Sequence, residues 1–276
     1  MNRGELGAAL RALRQASGKE AKVVARSSAM SVSKLSKIET GRVTPSITDV
    51  DQILIALGVS DEVKAEYLKI AREQTTETVA WRELRRMGMH KVQEQLKAVE
   101  AQMVLMKVFQ SALVPGLLQT PEYIRVILGR HGMTPEILRR TMQARLERQG
   151  VLYDESKVLS FIITEHVLRW RIVSNSRMAE QIDRIISLSR LPAVDVRLVP
   201  TAARQNDIAS HAFVIRDDRT VSIETVHAKV VVTDPRDVAV YVRKFEQFGV
   251  VALQGDEMRA ALARIRDEFL RQQETD

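Results

Sequence analysis

The sequence predicts a multidomain protein with an all-α domain over residues 1–75, a connecting helix over 76–110 and an α+β domain over 111–276. Three observations support this division. The chain has 276 residues, more than one small domain requires. The first 75 residues carry apolar side chains at helical spacing, in series bounded by capping residues. From residue 158 onward, short β-rich runs alternate with helical patterns, which is typical of a mixed sheet.

Five short helices fit the apolar spacing of the first 75 residues. A capping box formed by Ser46 and Asp49 indicates the start of the fourth helix. Gly18 and Gly41 follow the first and third helices, where a glycine commonly ends a helix. The residues that we expect to face the core of this domain are Leu6, Ala9, Leu10, Leu13, Val23, Val24, Leu35, Ile38, Ile47, Val50, Ile53, Leu54 and Leu57.

The pattern changes beyond residue 75. The stretch 76–110 predicts the connecting helix and a short extended piece from Met106 to Gln110. Two helices then begin with Thr-Pro pairs, in which the hydroxyl caps the helix and proline takes its first position. Further helices are predicted around 178–186, from Asp234 to Gly249, and around 258–269. The predicted strands cover 158–163, 194–198, 211–215, 221–225 and 229–232.

Positive charge is concentrated at the start of the chain. The first 42 residues contain nine Lys and Arg against three Glu, which is most of the net charge of +7. A basic block with helical periodicity indicates a nucleic-acid partner. The chain lacks cysteine, which excludes thiolate sites, and lacks an apolar run near the ~20 residues that cross a bilayer. With a polar start and no signal-peptide pattern, we expect a cytoplasmic protein that is associated with the nucleoid when bound to DNA.

The segment 31–46, SVSKLSKIETGRVTPS, predicts a helix with a polar outer face and an apolar inner one. A helix that enters the major groove of DNA needs this division. Val32 suits a thymine methyl group, Ser33 suits base edges, and Lys37 suits the acceptors of guanine. Arg42 follows the helix, where a cation can meet phosphate. The candidate DNA-binding residues are Ser31, Val32, Ser33, Lys34, Ser36, Lys37 and Arg42.

This segment resembles the recognition segment of the Xre/Cro/C1-type helix-turn-helix family, which typically reads S-x-x-x-[IL]-S-x-[ILW]-E-x-G-[RK]-x-x-P. The resemblance implies a DNA-binding regulator, and a small module of this kind is expected to read double-stranded DNA as a homodimer. The matching residues are Ser31, Leu35, Ser36, Ile38, Glu39, Gly41, Arg42 and Pro45.

The sequence departs from that family pattern at two positions. Ala21 stands where the family usually has a phosphate-anchoring glutamine, which points to weaker non-specific affinity. Ala29 stands where the turn usually has glycine. Either Ala29 adopts a conformation that alanine tolerates, or the turn has a different shape.

A second resemblance begins at ALVPGLLQTPEYIRVIL, residues 112–128. This segment resembles the opening of the C-terminal domain of actinobacterial regulators that are called Scr1-family antitoxin-like or DUF5753 proteins. The resemblance implies a regulatory domain linked with a small protein partner encoded nearby. A domain that senses a small-molecule ligand is the alternative. The resemblance continues through 164–172, 178–200, 223–226 and 234–248.

An enzyme is the competing class. Gly18-Lys19 lacks the preceding glycine of a phosphate-binding loop, and the G-x-S-x-G motif of hydrolases is missing. The five histidines have no metal-ligand spacing. Glu224 is expected to point outward from its strand, and Trp170 and Phe213 are expected in the core. We therefore expect no catalytic residue, no metal and no cofactor.

Overall fold

A computed structural model describes residues 3–43, 45–74, 76–81, 84 and 88–273. The chain divides into two compact units, which are Met1–Glu77 with Val231–Asp237, and Thr78–Val230 with Val238–Asp276. Each unit has its own cluster of buried apolar residues. Within the described ranges, the helices are too short or too polar to span a membrane.

The N-terminal unit is helical, as the apolar spacing predicts. Leu10 of the first helix, Leu35 and Ile38 of the third, and Leu54 of the fourth are fully buried and form the centre of its core. A short helix is stabilised mainly by burying such a face. The helices are α1 Arg3–Ala16, α2 Ala21–Ser27, α3 Val32–Glu39, α4 Ile47–Leu57 and α5 Asp61–Gln74. In α2 the prediction for Val24 is confirmed, but that for Val23 is wrong, since it is 52% exposed.

The turn between α2 and α3 keeps the helix-ending geometry that normally requires glycine. Ala29 has a φ of 51°, in the left-handed region. Its N–H donates to the carbonyl of Arg26 at 3.3 Å, and the N–H of Met30 donates to the carbonyl of Ala25 at 3.0 Å. This pair of bonds is the Schellman motif. The turn therefore has its usual shape, and alanine adopts a conformation that costs an L-residue about 1–2 kcal/mol.

The chain forms a seven-stranded mixed sheet, most of whose residues belong to the second unit, which confirms the α+β fold class. The strands are β1 Thr76–Ala80, β2 Leu105–Gln110, β3 Val158–Thr164, β4 Val194–Val199, β5 Phe213–Arg216, β6 Thr220–Glu224 and β7 Ala228–Val232. Their order is β1-β7-β6-β5-β2-β3-β4. β2, β3 and β4 run parallel, whereas β5 is antiparallel to both β2 and β6.

Helices cover both faces of this sheet. They are α6 Met89–Gln102, α7 Pro121–Gly129, α8 Pro135–Arg148, α9 Glu165–Arg169, α10 Asn175–Leu188, α11 Pro235–Val251 and α12 Gly255–Gln273. On one face, Phe161 of β3 packs in a cluster with Ile182 of α10 and Leu262 of α12. On the other face, the ring of Phe109 in β2 stacks on that of Phe248 in α11, with centroids 4.2 Å apart.

Parts of this architecture differ from the sequence-based expectations. The stretch 76–110 holds β1, α6 and β2, and β2 lies inside the sheet between β5 and β3. The predicted end of α11 at Gly249 is wrong, since the helix continues to Val251. A Cβ on Gly249 would lie 3.1 Å from Nη1 of Arg197 in β4.

The two aromatic residues that the sequence predicts in the core, Phe213 and Trp170, differ in burial. Phe213 is buried among Phe109 and Tyr241, as expected of a core residue. Trp170 was expected in the core, but it is 54% exposed. It follows the last residue of the five-residue helix α9 and contacts His166 edge-on. Its apolar character alone therefore does not place it inside.

Glutamine side chains hold the loop before α7 in place. The side-chain amide of Gln119 donates to the carbonyl of Val114 at 2.8 Å, and that of Gln149 donates to the carbonyl of Gln119 at the same distance. Gln181 accepts a hydrogen bond from the N–H of Thr120, which in turn caps α7. Buried polar groups need such partners. These hydrogen bonds hold the loop at the start of the segment 112–128, which resembles the DUF5753 opening, and so fix the direction of α7.

We predict that Ala29→Gly stabilises the N-terminal unit by about 0.5–1 kcal/mol, because glycine removes the left-handed strain while its freedom in the unfolded chain offsets part of the gain. Urea unfolding measures the change. Ala12→Gly, at an exposed position within α1, is the matched control and should destabilise by about 1 kcal/mol. Equal destabilisation by both substitutions would contradict the assigned strain.

Candidate DNA-binding surface

Helix α3 presents its polar side to solvent and its apolar side to the core. Leu35 and Ile38 are fully buried, whereas Val32 is 46% exposed. Ser31 is the N-cap, and its Oγ accepts a hydrogen bond from the N–H of Lys34 at 3.1 Å. The exposed side chains of α3 that form no ion pair with the described residues are called here the recognition face, and they are Val32, Ser33, Ser36 and Lys37.

Lys34 differs from these neighbours because its ammonium group is already paired. Its Nζ lies 2.6 Å from Oδ1 of Asp49. Asp49 also accepts a hydrogen bond from the N–H of Ser46, and Ser46 Oγ accepts one from the N–H of Asp49, which completes the predicted capping box of α4. Lys34 therefore connects α3 to the start of α4, and its charge is less available to DNA than that of Lys37.

A bidentate ion pair joins α1 to the end of α3. Nε and Nη2 of Arg14 donate to the two carboxylate oxygens of Glu39 at 2.6 and 3.0 Å. Both side chains are largely buried, with 15% and 7% of their surfaces exposed. The hydrogen bond to Glu39 raises the pKa of Arg14 above its ordinary value. Glu39, which the sequence identifies only as a motif match, thus acts by positioning α3.

The backbone of α3 also approaches α1 closely. A Cβ on Gly7 would lie 2.2 Å from the carbonyl oxygen of Ile38, so only glycine fits there. α3 ends in a Schellman motif, in which Gly41 has a φ of 68° and the N–H of Arg42 donates to the carbonyl of Lys37 at 2.8 Å. The sequence offers one signal for this contact, a glycine inside the helical pattern of α1.

The remaining cations of this unit fall into two groups. Lys19 is engaged within the unit, since its Nζ donates to the carbonyls of Ala56 and Leu57 at the end of α4. A cation at this position also complements the helix dipole. The exposed cations that make no ion pair within the described ranges are Arg11, Lys22, Arg26, Lys37, Arg42 and, on α5, Lys69.

Residues 93–264, more than half of the chain, match the family model described as a domain of unknown function, DUF5753. The chain belongs to the DUF5753 family. Residues 5–68, from α1 into α5, match the model of a helix-turn-helix domain. The predicted combination of a helix-turn-helix domain with a DUF5753 domain is therefore confirmed, and such a helix-turn-helix domain is typical of a DNA-binding regulator.

Two solved structures are weakly similar to this DUF5753 protein. One is Nuc, a phospholipase D family member from Salmonella typhimurium, with 12% identity and a TM-score of 0.35 over 66% of this chain and 97% of that chain. The other is TrmBL2, an archaeal chromatin protein, with 14% identity and a TM-score of 0.33 over 74% and 66%. Neither similarity is close enough to bear on function. Among curated proteins, none matches the chain.

We predict that Glu39→Gln destabilises the N-terminal unit by about 2–4 kcal/mol, because it leaves the largely buried charge of Arg14 without a carboxylate. Asp51→Asn is the matched control, since the pair of Asp51 with Lys64 is more exposed and should contribute below about 1 kcal/mol. Chemical unfolding of both variants gives the comparison. Similar small losses would show that the Arg14–Glu39 pair does not hold α3.

Proposed function

We propose that the protein is a sequence-specific DNA-binding regulator of transcription, and not an enzyme, which reads double-stranded DNA with α3. The observation that carries the proposal is the recognition face, which stands on a fully buried apolar side in a helix-turn-helix domain. In such domains, residues near the start of the recognition helix contact base edges in the major groove.

The side chains of the recognition face suggest separate roles. Lys37 suits the O6 and N7 acceptors of guanine, and Val32 suits a thymine methyl group. Ser33 and Ser36 suit base edges or phosphate oxygens. Arg42 lies just beyond α3, where it suits a phosphate, and a phosphate contact carries no sequence information by itself.

We also propose that two copies of the protein bind one operator. α3 has only eight residues, so one copy contacts few base pairs. Helix-turn-helix proteins commonly compensate by binding two half-sites about 34 Å apart as a symmetric dimer. The expected operator is therefore close to a palindrome.

We predict that Lys37→Ala lowers affinity for the operator by about 1–3 kcal/mol but changes affinity for random duplex much less, because it removes a base contact. Arg42→Ala should lower both affinities alike, because it removes a phosphate contact. Titration of the full chain against operator and random duplexes measures both. The operator is first selected from a pool of random duplexes.

Lys34→Ala is the matched control for Lys37→Ala, since both lysines lie on α3 but only Lys34 is paired with Asp49. Its effect on sequence preference should be the smaller of the two. Sedimentation of the operator complex gives the stoichiometry. Equal losses on operator and random DNA for Lys37→Ala would reject its base-reading role, and one copy per operator would reject the dimer.

For the C-terminal unit, we propose binding of a small protein that carries an acidic amphipathic helix. A groove of about 570 Å³ runs along α8 and is lined by Leu138, Met142 and Leu146, which are spaced by four residues. Arg125, Arg139 and Glu147 also line it, and Arg125 is paired with Glu122. Such a stripe suits the apolar face of a partner helix, and Arg139 suits an acidic residue beside that face. The second resemblance favours the same class of partner.

We predict that Met142→Glu weakens binding of the small protein encoded beside this gene at least 100-fold, because it places a charge inside the groove. Ile137→Glu is the matched control, at a 41% exposed position of α8 that does not line the groove, and should change affinity only a few-fold. Calorimetry with and without operator measures binding and its coupling to DNA. Failure of the unmodified protein to bind would reject the protein partner.

A further inference from the structure

Four cationic side chains lie near one another in the C-terminal unit, and three of them have a pKa that is lowered by burial and by a neighbouring cation. Two of them come from strands β5 and β7, and two come from helix α8. Only two carboxylates in the described ranges contribute to those shifts, so the group has an excess of two positive charges. The cationic cluster is Arg145, Arg148, Arg216 and Lys229, and the carboxylates are Glu100 and Glu224.

Arg148 has its charge matched by a partner. Its Nε donates to Oε2 of Glu100 at 3.0 Å, and Nη1 donates to the side-chain oxygen of Gln93. Glu100 and Gln93 are 1% and 3% exposed. Because both oxygens of Glu100 accept from Arg148, this carboxylate is committed to that arginine. Its charge also acts on Arg216, where it opposes the lowering of the pKa by burial and by Arg148, but it accepts no hydrogen bond there.

Arg216 is buried and has no carboxylate partner among the residues that the structure describes. It is only 8% exposed, and its Nη1 donates to the hydroxyl of Ser222 at 3.1 Å. Its Nε is enclosed and has no hydrogen-bond acceptor among the described residues. Burial lowers its pKa, yet a guanidinium stays protonated at neutral pH. Proteins rarely bury such a charge unless something pairs with it.

Arg145 and Lys229 extend the cluster toward the surface. Nη1 of Arg145 donates to the side-chain oxygen of Gln119 at 3.2 Å, and its enclosed Nε has no described acceptor. Burial, with the charge of Arg148, lowers the pKa of Arg145 to about 10, so this group stays charged at pH 7. Burial and Arg216 likewise lower the pKa of Lys229. Arg145 and Lys229 are half-buried, and Glu224 is exposed, so the cluster is open to solvent.

We propose that this cationic cluster binds an oxyanion group of a small molecule, a phosphate or a carboxylate. The guanidinium groups of Arg216 and Arg145, whose hydrogen-bonding capacity is not filled by the described residues, would donate to its oxygens, and Lys229 would add a point charge. An anion would supply negative charge that the described side chains around Arg216 do not place within hydrogen-bond distance of its guanidinium. This ligand site goes beyond DNA binding and the protein partner, and it matches the small-molecule signal that the sequence leaves open.

The test is thermal unfolding of the full chain with inorganic phosphate or with acetate, at constant ionic strength set by sodium chloride. The preferred anion should raise the Tm of the C-terminal unit by roughly 5 °C at 100 times its Kd, because it binds only the folded state. The larger of the two shifts identifies the ligand chemistry. Arg216→Met and Lys229→Met should each lose this shift.

Lys157→Met is the matched control for loss of a buried cation. Lys157 is 7% exposed, but its Nζ is satisfied by the carbonyls of Ala101 and Met103, so the variant should be less stable and yet keep the anion shift. Arg216→Met should have an anion-free Tm at or above that of the unmodified chain, since it removes an uncompensated charge. A lack of shift with both anions, or the same shift in all the variants, would overturn the proposal.

Discussion

The short length of α3 is the constraint on which the N-terminal unit depends. An isolated helix of eight residues is not stable in water, so its neighbours must hold it. They do so at each part of the helix. Ser31 caps its start, and Leu35 and Ile38 pack in the core. At its end, Glu39 forms an ion pair with Arg14 of α1. The direction of the exposed side follows from these contacts. DNA recognition thus rests on residues that need not touch DNA.

The C-terminal unit shows how one sheet face can serve two purposes. Where α10 and α12 cover it, the face is apolar, with Phe161 fully buried. On β5 the same face passes from Val214 to Arg216, and on β6 it bears Ser222 opposite Val214. The change from packing to charge takes place within three residues of one strand. Stability comes from the first part, and the second is free to meet a charged ligand.

Local patterns predicted most of the helices and strands, because apolar spacing and caps such as Ser46 report directly on them. The exposed positions of α3 could be predicted for the same reason. What sequence reasoning missed depends on partners distant in the chain. The pair between Lys34 and Asp49, the contact at Gly7 and the burial of Arg216 depend on how elements pack, and periodicity carries no information about that.

The ion pairs inside the N-terminal unit have a consequence for how the protein finds its site. Of the nine cations in the first 42 residues, Arg14, Lys19 and Lys34 are engaged within the protein. Each phosphate contact that is lost removes counterion release that would otherwise favour every duplex equally. If the protein binds DNA as we propose, it is held less tightly on random duplex than its net charge suggests. Shorter binding times at non-operator sequences would then shorten its search of a chromosome for the operator.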